Sequence, residues 1–168
     1  MGWFRRKRFD KRLHPTVVLG KGVRVAFPER LTLGSHIYLG DNCYVQARGG
    51  ITIGDHSILG SRVVVLSHNH NYLNPQSLPY DEEEIVRPVV LGRFVWVGMG
   101  SMICPGTTVG DAAVVLTGSV VTKDVPALAI VRGNPAVIIG TRDEARTQAL
   151  MEQGRSFLAM HKRPPEDI

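Results

Sequence analysis

Aromatic residues are scarce in this chain: Phe, Trp and Tyr make up 7% of its 168 residues. That excludes an interior filled by large rings and fits a narrow aliphatic one. The two cysteines, Cys43 and Cys104, are too few for a disulfide framework or a zinc site, and each reads as small buried filler. No run approaches the roughly 18 consecutive apolar residues of a membrane-spanning helix. The first fifteen residues, MGWFRRKRFDKRLHP, have no apolar core, so no signal peptide is expected. Arg6 stands where a myristoylated Met-Gly start wants Ser or Thr, and the expected location is the cytoplasm. The net charge of +5 comes without the interleaved aromatic and basic residues of a nucleic-acid-reading surface. It suits attraction to an anionic cofactor or a lipid headgroup surface instead.

What the chain does have is glycine (18), proline (10) and a beat of six. From Leu91 to Pro126 a branched aliphatic recurs at Leu91, Val97, Ile103, Val109, Val115 and Val121, usually followed by a small residue, as at Gly92, Gly98 and Gly110. This is neither the 3.6 period of a helix nor the alternation of one strand. It predicts short strands joined by tight corners, three to a triangular coil, with each strand turning one aliphatic inward and the coils stacking into parallel ladders.

The beat begins at Leu19 and Val25, slips by two residues to Leu33, continues through Leu39 and Val45, and slips again to Ile53, Leu59 and Val65. It then stops. Residues 67–88, SHNHNYLNPQSLPYDEEEIVRP, hold no hexad, several turn signals and an acidic run, Asp81 to Glu84, that reads as a solvated loop tip. A long loop inserted into a regular solenoid points to function rather than packing. The expected organisation is a basic arm over 1–16, a β-helix over 17–140 interrupted by the loop 67–88, and a helix with a loose tail over 141–168. That helix, from about Asp143 to Met160, is expected to cap the open end of the prism. In the arm, Trp3, Phe4 and Phe9 have two readings: weak contact with a membrane surface, or docking on the first coil.

The repeat, together with the tail VTKDVPALAIVRGNPAVII, resembles the hexapeptide-repeat acyltransferases, nearest the galactoside, maltose and xenobiotic O-acetyltransferase branch. The resemblance spans about Leu19 to Ile139. It implies an all-β, left-handed parallel β-helix, a homotrimer with sites at the seams between subunits, and acetyl-CoA as co-substrate. It also implies that a histidine at the interrupted coil is the general base, a role suited to an imidazole whose pKa lies near neutrality. His68 and His70 both stand there. The family's histidine falls seventeen residues after the isoleucine of the preceding Ile-Gly-Asp hexad, which from Ile53 lands on His70. The family's following proline is replaced here by Asn71.

On the acceptor side the resemblance implies Trp96 as a ring stacking on a sugar and Gln46 in place of a family asparagine. The residues themselves leave His68 two readings, orienting His70 or contacting the acceptor, and give Asn69 an amide able to hydrogen-bond a sugar hydroxyl. For the coenzyme it implies the Met99 N–H at the thioester carbonyl, Thr117 beside the pantetheine arm, and Thr122 and Lys123 near the adenosine end. Cationic residues common in the family are missing at Val137 and Gly140, and Arg132 or Arg142 is expected to substitute. His14, His36, His56 and His161 are expected to be structural or exposed. Carbonic anhydrases share this β-helix fold and bind zinc through three histidines, but His68 and His70 have no third partner at suitable spacing, so no metal is expected. Besides O-acetylation of a sugar or polysaccharide precursor, two other readings stand. One is N-acetylation of an amino sugar or modification of an antibiotic; the other is a β-helix scaffold without chemistry.

Overall fold

An inward aliphatic on every short strand gains nothing until the next coil covers it, so such a chain is stable only as a stack. A computed structural model describes residues 13–161, and in it the repeat forms the expected left-handed parallel β-helix. The expectations for residues 1–12 of the arm and 162–168 of the tail lie outside the described residues.

The first coil carries β1 (Val18–Leu19), β2 (Arg24–Ala26) and β3 (Leu31–Leu33). The second carries β4 (Tyr38–Leu39), β5 (Tyr44–Gln46) and β6 (Ile51–Ile53). The third begins with β7 (Ile58–Leu59) and β8 (Val64–Leu66), is interrupted by β9 (His68–His70) and β10 (Glu84–Val86), and resumes with β11 (Val89–Leu91). The fourth and fifth carry β12 (Trp96–Val97), β13 (Met102–Ile103), β14 (Thr108–Val109), β15 (Val114–Val115) and β16 (Val120–Val121). The long strands β17 (Ala129–Gly133) and β18 (Ala136–Thr141) follow. Wall one is β1-β4-β7-β12-β15-β17-β18, wall two is β2-β5-β8-β13-β16, and wall three is β3-β6-β11-β14.

Register turns the beat into columns. Leu39, Leu59, Val97 and Val115 stack along wall one, Val45, Val65, Ile103 and Val121 along wall two, and Ile53, Leu91 and Val109 along wall three. All of these are at most 1% exposed. The corners turn through left-handed backbone. His36, His56, Phe94, Ala112 and Leu128 take φ between 53° and 65° in successive coils where wall three meets wall one. Glycine is required where one corner sits on the next: a Cβ on Gly98 would lie 2.5 Å from the Thr117 amide nitrogen.

The two slips of the beat and the long insertion all fall at one edge, where wall two turns into wall three. The first slip holds a short 3-10 helix, Pro28–Arg30, the second spans residues 47–50, and the third coil carries the whole of 67–88 there. That edge tolerates extra residues because they extend outward from the stack without disturbing a column.

The C-terminal segment differs from expectation. Before any helix the chain folds back as β18, antiparallel to β17, and this strand ends wall one. Two helices follow instead of one, α1 (Glu144–Glu152), capped by the Asp143 side chain accepting from the Arg146 N–H, and α2 (Phe157–His161). They lie beside the outer face of wall one, where the Ser156 hydroxyl meets His56 Nδ1 at 2.8 Å. The break is at Gly154, whose φ is +61°. Among the described residues no helix is long and apolar enough to cross a membrane.

His56 is structural: it stacks between His36 at 4.9 Å and Phe94 at 4.5 Å. Burial, and then the neighbouring His36, hold its pKa below the ordinary histidine value. Below about pH 6.5 the unfolded chain therefore binds more protons than the folded one. The stability this group contributes is present above that pH and is lost as pH falls toward the folded value. Phenylalanine tolerates the left-handed backbone here, as Phe27 and Phe94 do at φ 57°. His56→Phe is therefore expected to keep the stack and to flatten the fall of melting temperature between about pH 7 and 5, measured by circular dichroism. An unchanged slope would remove His56 as a cause.

Candidate active site

The inserted loop is a β-hairpin at its base. β9 and β10 pair antiparallel, with His70 opposite Glu84, Asn69 opposite Ile85 and His68 opposite Val86. Strand alternation puts His68 and His70 on one face. Asn69 points the other way, is exposed, and its side-chain oxygen accepts from the His70 N–H at 2.9 Å. An Arg48–Glu84 ion pair ties the hairpin to the second coil.

The two histidines are in different situations. The Arg48 N–H donates to Gln46 Oε1 at 3.1 Å, which leaves the amide NH2 of Gln46 facing His68 Nε2 at 3.2 Å. His68 Nε2 is therefore the acceptor and its proton sits on Nδ1. That Nδ1 is buried and has no hydrogen-bond partner among the described residues. Burial, the largest influence, holds the His68 pKa down. One ring nitrogen is engaged and the other sealed, so His68 is a neutral, positioned group with no lone pair free to take a proton. His70 is half-buried, and neither of its ring nitrogens meets a hydrogen-bond partner among the described residues. It lies edge-on to His68 at 5.9 Å and flat on Tyr80 at 4.0 Å.

The acidic run is more than a solvated tip. Asp81 accepts from the Gln76 N–H at 2.8 Å, the Glu83 N–H at 3.0 Å and Asn71 Nδ2 at 3.0 Å. These bonds, Gln76 first, hold its carboxyl below the usual range. Glu84 is engaged with Arg48, while Glu82 and Glu83 are exposed.

The other expected residues fall on three parts of the prism. Gln46, 7% exposed at the end of β5, is brought directly to His68. Trp96 is not: it lies on wall one, across the prism from the hairpin's edge. There it lines a cavity of about 260 Å³ with Phe94, Arg142, Arg155 and Phe157. Its indole N–H is buried without a partner among the described residues. In a single chain, His70 and Trp96 do not face one site.

Met99 and Thr117 occupy successive coils at the edge between walls one and two. The Met99 N–H has no backbone acceptor among the described residues, and its sulfur accepts from Arg62 at 3.0 Å. Thr122 and Lys123 are exposed at the next edge, two coils beyond the hairpin. Arg132 is exposed in β17. Arg142 is committed within its own chain: its Nε donates to the Ala112 carbonyl at 2.8 Å in the cavity with Trp96, and burial lowers its pKa.

Burial pushes the Cys43 thiol up to about 11, and its sulfur donates to the Gly60 carbonyl at 3.1 Å. It is packing material rather than a nucleophile. Among the described residues no group of three or more His, Cys, Asp or Glu side chains could hold a metal ion.

Sequence reasoning missed Tyr80, the Arg48–Glu84 pair and the ordering role of Asp81. None of them has a periodic signal, because each depends on how the loop closes on itself. The His36–His56–Phe94 stack could have been found: Gly34-Ser35-His36, Gly54-Asp55-His56 and Gly92-Arg93-Phe94 occupy one hexad phase.

Residues 88–123 match the family model described as the hexapeptide repeat of succinyl-transferase. The chain is 33% identical over 136 residues to WcaF of Escherichia coli K12, whose name assigns it to colanic acid biosynthesis as an acetyltransferase; the match covers 81% of this chain and 72% of that protein. The crystal structure of a maltose O-acetyltransferase from Clostridium difficile 630 superposes with a TM-score of 0.72 at 27% identity, covering 83% of this chain and 75% of that one. A hexapeptide-repeat acetyltransferase of Vibrio cholerae, solved with acetyl coenzyme A, superposes with a TM-score of 0.66 at 26% identity over 83% and 78% of the two chains.

Proposed function

The chain belongs to the hexapeptide-repeat acetyltransferases, and from that premise we propose that it transfers the acetyl group of acetyl-CoA to a hydroxyl of a sugar or polysaccharide precursor. The observation that carries this reading is the unengaged imidazole of His70 where the β-helix is interrupted, beside a His68 held neutral. The maltose enzyme and the polysaccharide assignment of WcaF support a sugar hydroxyl as acceptor.

His70 takes the proton of the acceptor hydroxyl as its oxygen bonds to the thioester carbonyl carbon. The Met99 N–H, without a backbone acceptor, is the donor for the charge that develops on the carbonyl oxygen. As the carbon–sulfur bond breaks, the imidazolium of His70 returns the proton to the departing thiolate. The thioester supplies an activated acetyl group, so no cysteine carrier is needed. Thr117, Thr122 and Lys123 line the coenzyme path, with Arg132 as the remaining exposed cation for its phosphates. Trp96 reaches the acceptor from a neighbouring copy in a homotrimer, which a solution mass of three chains would check.

The test is thiol release from acetyl-CoA with a panel of sugars bearing free hydroxyls or amines. Stimulation by a hydroxyl sugar supports the proposal, and stimulation confined to amino sugars moves the reaction to nitrogen. No release with any acceptor, together with no coenzyme A binding by calorimetry, leaves a scaffold.

A further inference from the structure

An imidazole whose ring nitrogens have no hydrogen-bond partners is poorly fixed, because the second side-chain torsion of histidine is broad. A general base, however, must hold one nitrogen aimed at the proton it removes. In the described structure the His70 ring has two aromatic neighbours. His68 meets it edge-on, with an interplanar angle of 64°. Tyr80 covers a face at 4.0 Å and 15°. The Tyr80 ring comes from the far side of the loop, and the loop is built to deliver it: the Tyr80 carbonyl accepts from the Ser77 hydroxyl at 3.0 Å, and Asp81, the next residue, pins both Gln76 and Asn71.

We propose that Tyr80 is a positioning residue for His70, its ring stacked on the imidazole so that the in-plane nitrogens alone remain open to the acceptor. This rests on the reading of His70 as general base. The ring and not the hydroxyl does the work, since that hydroxyl has no hydrogen-bond partner among the described residues. Tyr80 remains 46% exposed, so it contributes nothing to the aliphatic columns, and its removal leaves the β-helix intact.

The experiment combines variants with nuclear magnetic resonance of the His70 ring protons. In the wild-type protein and in Tyr80→Phe these resonances are expected upfield, in the ring current of the stacked ring. In Tyr80→Ala they move to unstacked positions. Kinetics are read as thiol release from acetyl-CoA, with water as acceptor where no sugar of the panel is taken. Tyr80→Ala is expected to lower kcat by roughly 10- to 100-fold with KM for acetyl-CoA unchanged, and Tyr80→Phe to restore it. In a His70→Ala background, adding Tyr80→Ala should cost nothing further, because a residue that acts through another has no effect once that one is gone.

Full kcat in Tyr80→Ala, an equal loss in the His70→Ala background, or failure of Tyr80→Phe to restore activity would each overturn the proposal. Full activity of His70→Ala alone would instead sink the base assignment, and the catalytic role of the stack with it. The ring-current shift would still report whether the stack exists, so the two failures are distinguishable.

Discussion

Replacing His70 by alanine is expected to lower turnover by roughly 10²–10⁴ while the β-helix and coenzyme A binding survive. The reason is local. His70 sits on a hairpin that extends from the prism edge and contributes to none of the three aliphatic columns, so on the reading proposed above its loss removes the proton acceptor and leaves those columns intact. His68 does not take over, because its Nε2 already faces the Gln46 amide and its Nδ1 is sealed. The measurement is kcat for thiol release from acetyl-CoA beside a circular dichroism melt and a coenzyme A titration. Undiminished turnover in the variant would exclude His70 from the reaction. Lost turnover with lost coenzyme A affinity would make it a binding residue instead.

The second large effect lies in the core. Leu59 is fully buried in β7, between Leu39 and Val97 along wall one. Leu59→Ala is expected to destabilise the protein by about 2–5 kcal/mol. The column has no flexible neighbour to collapse into the cavity: the strands on either side are held by backbone ladders, and the corners by bonds such as Gly40 N–H to the Leu59 carbonyl at 2.8 Å. Each coil is stabilised only by its neighbours, so a gap in the third coil weakens both faces of the stack beside the inserted hairpin. Urea denaturation at fixed protein concentration checks this. Thr52→Ala, at an exposed outward position of β6, is the control and should stay within about 0.5 kcal/mol. A Leu59→Ala cost as small as the control's would mean that the column is not what holds the coils together.

The sequence by itself determined the repeat and its interruption. One branched aliphatic per hexad is a local property of the chain, and stacking three hexads to a coil brings Leu59, Val97 and Val115 into one column, as the register does. The place of the insertion was legible for the same reason: the columns cannot continue through SHNHNYLNPQ, so the chain must leave the prism there. The family's spacing then singled out one histidine of the two.

Only the tertiary structure decided the rest. Gln46 and His68 are 22 residues apart, and which nitrogen of His68 carries the proton follows from an amide orientation fixed by the Arg48 N–H. Tyr80 meets His70 because Asp81 folds the loop tip, a closure with no period to read. Trp96 and Arg142 share a cavity on wall one because, after β18 ends that wall, two helices return along its outer face, where the sequence suggested a single helix over the open end. Periodicity reports how a chain packs against its own next turn. Contacts between segments that leave the repeat depend on where each is carried in space, and that is set by the whole fold rather than by any stretch of it.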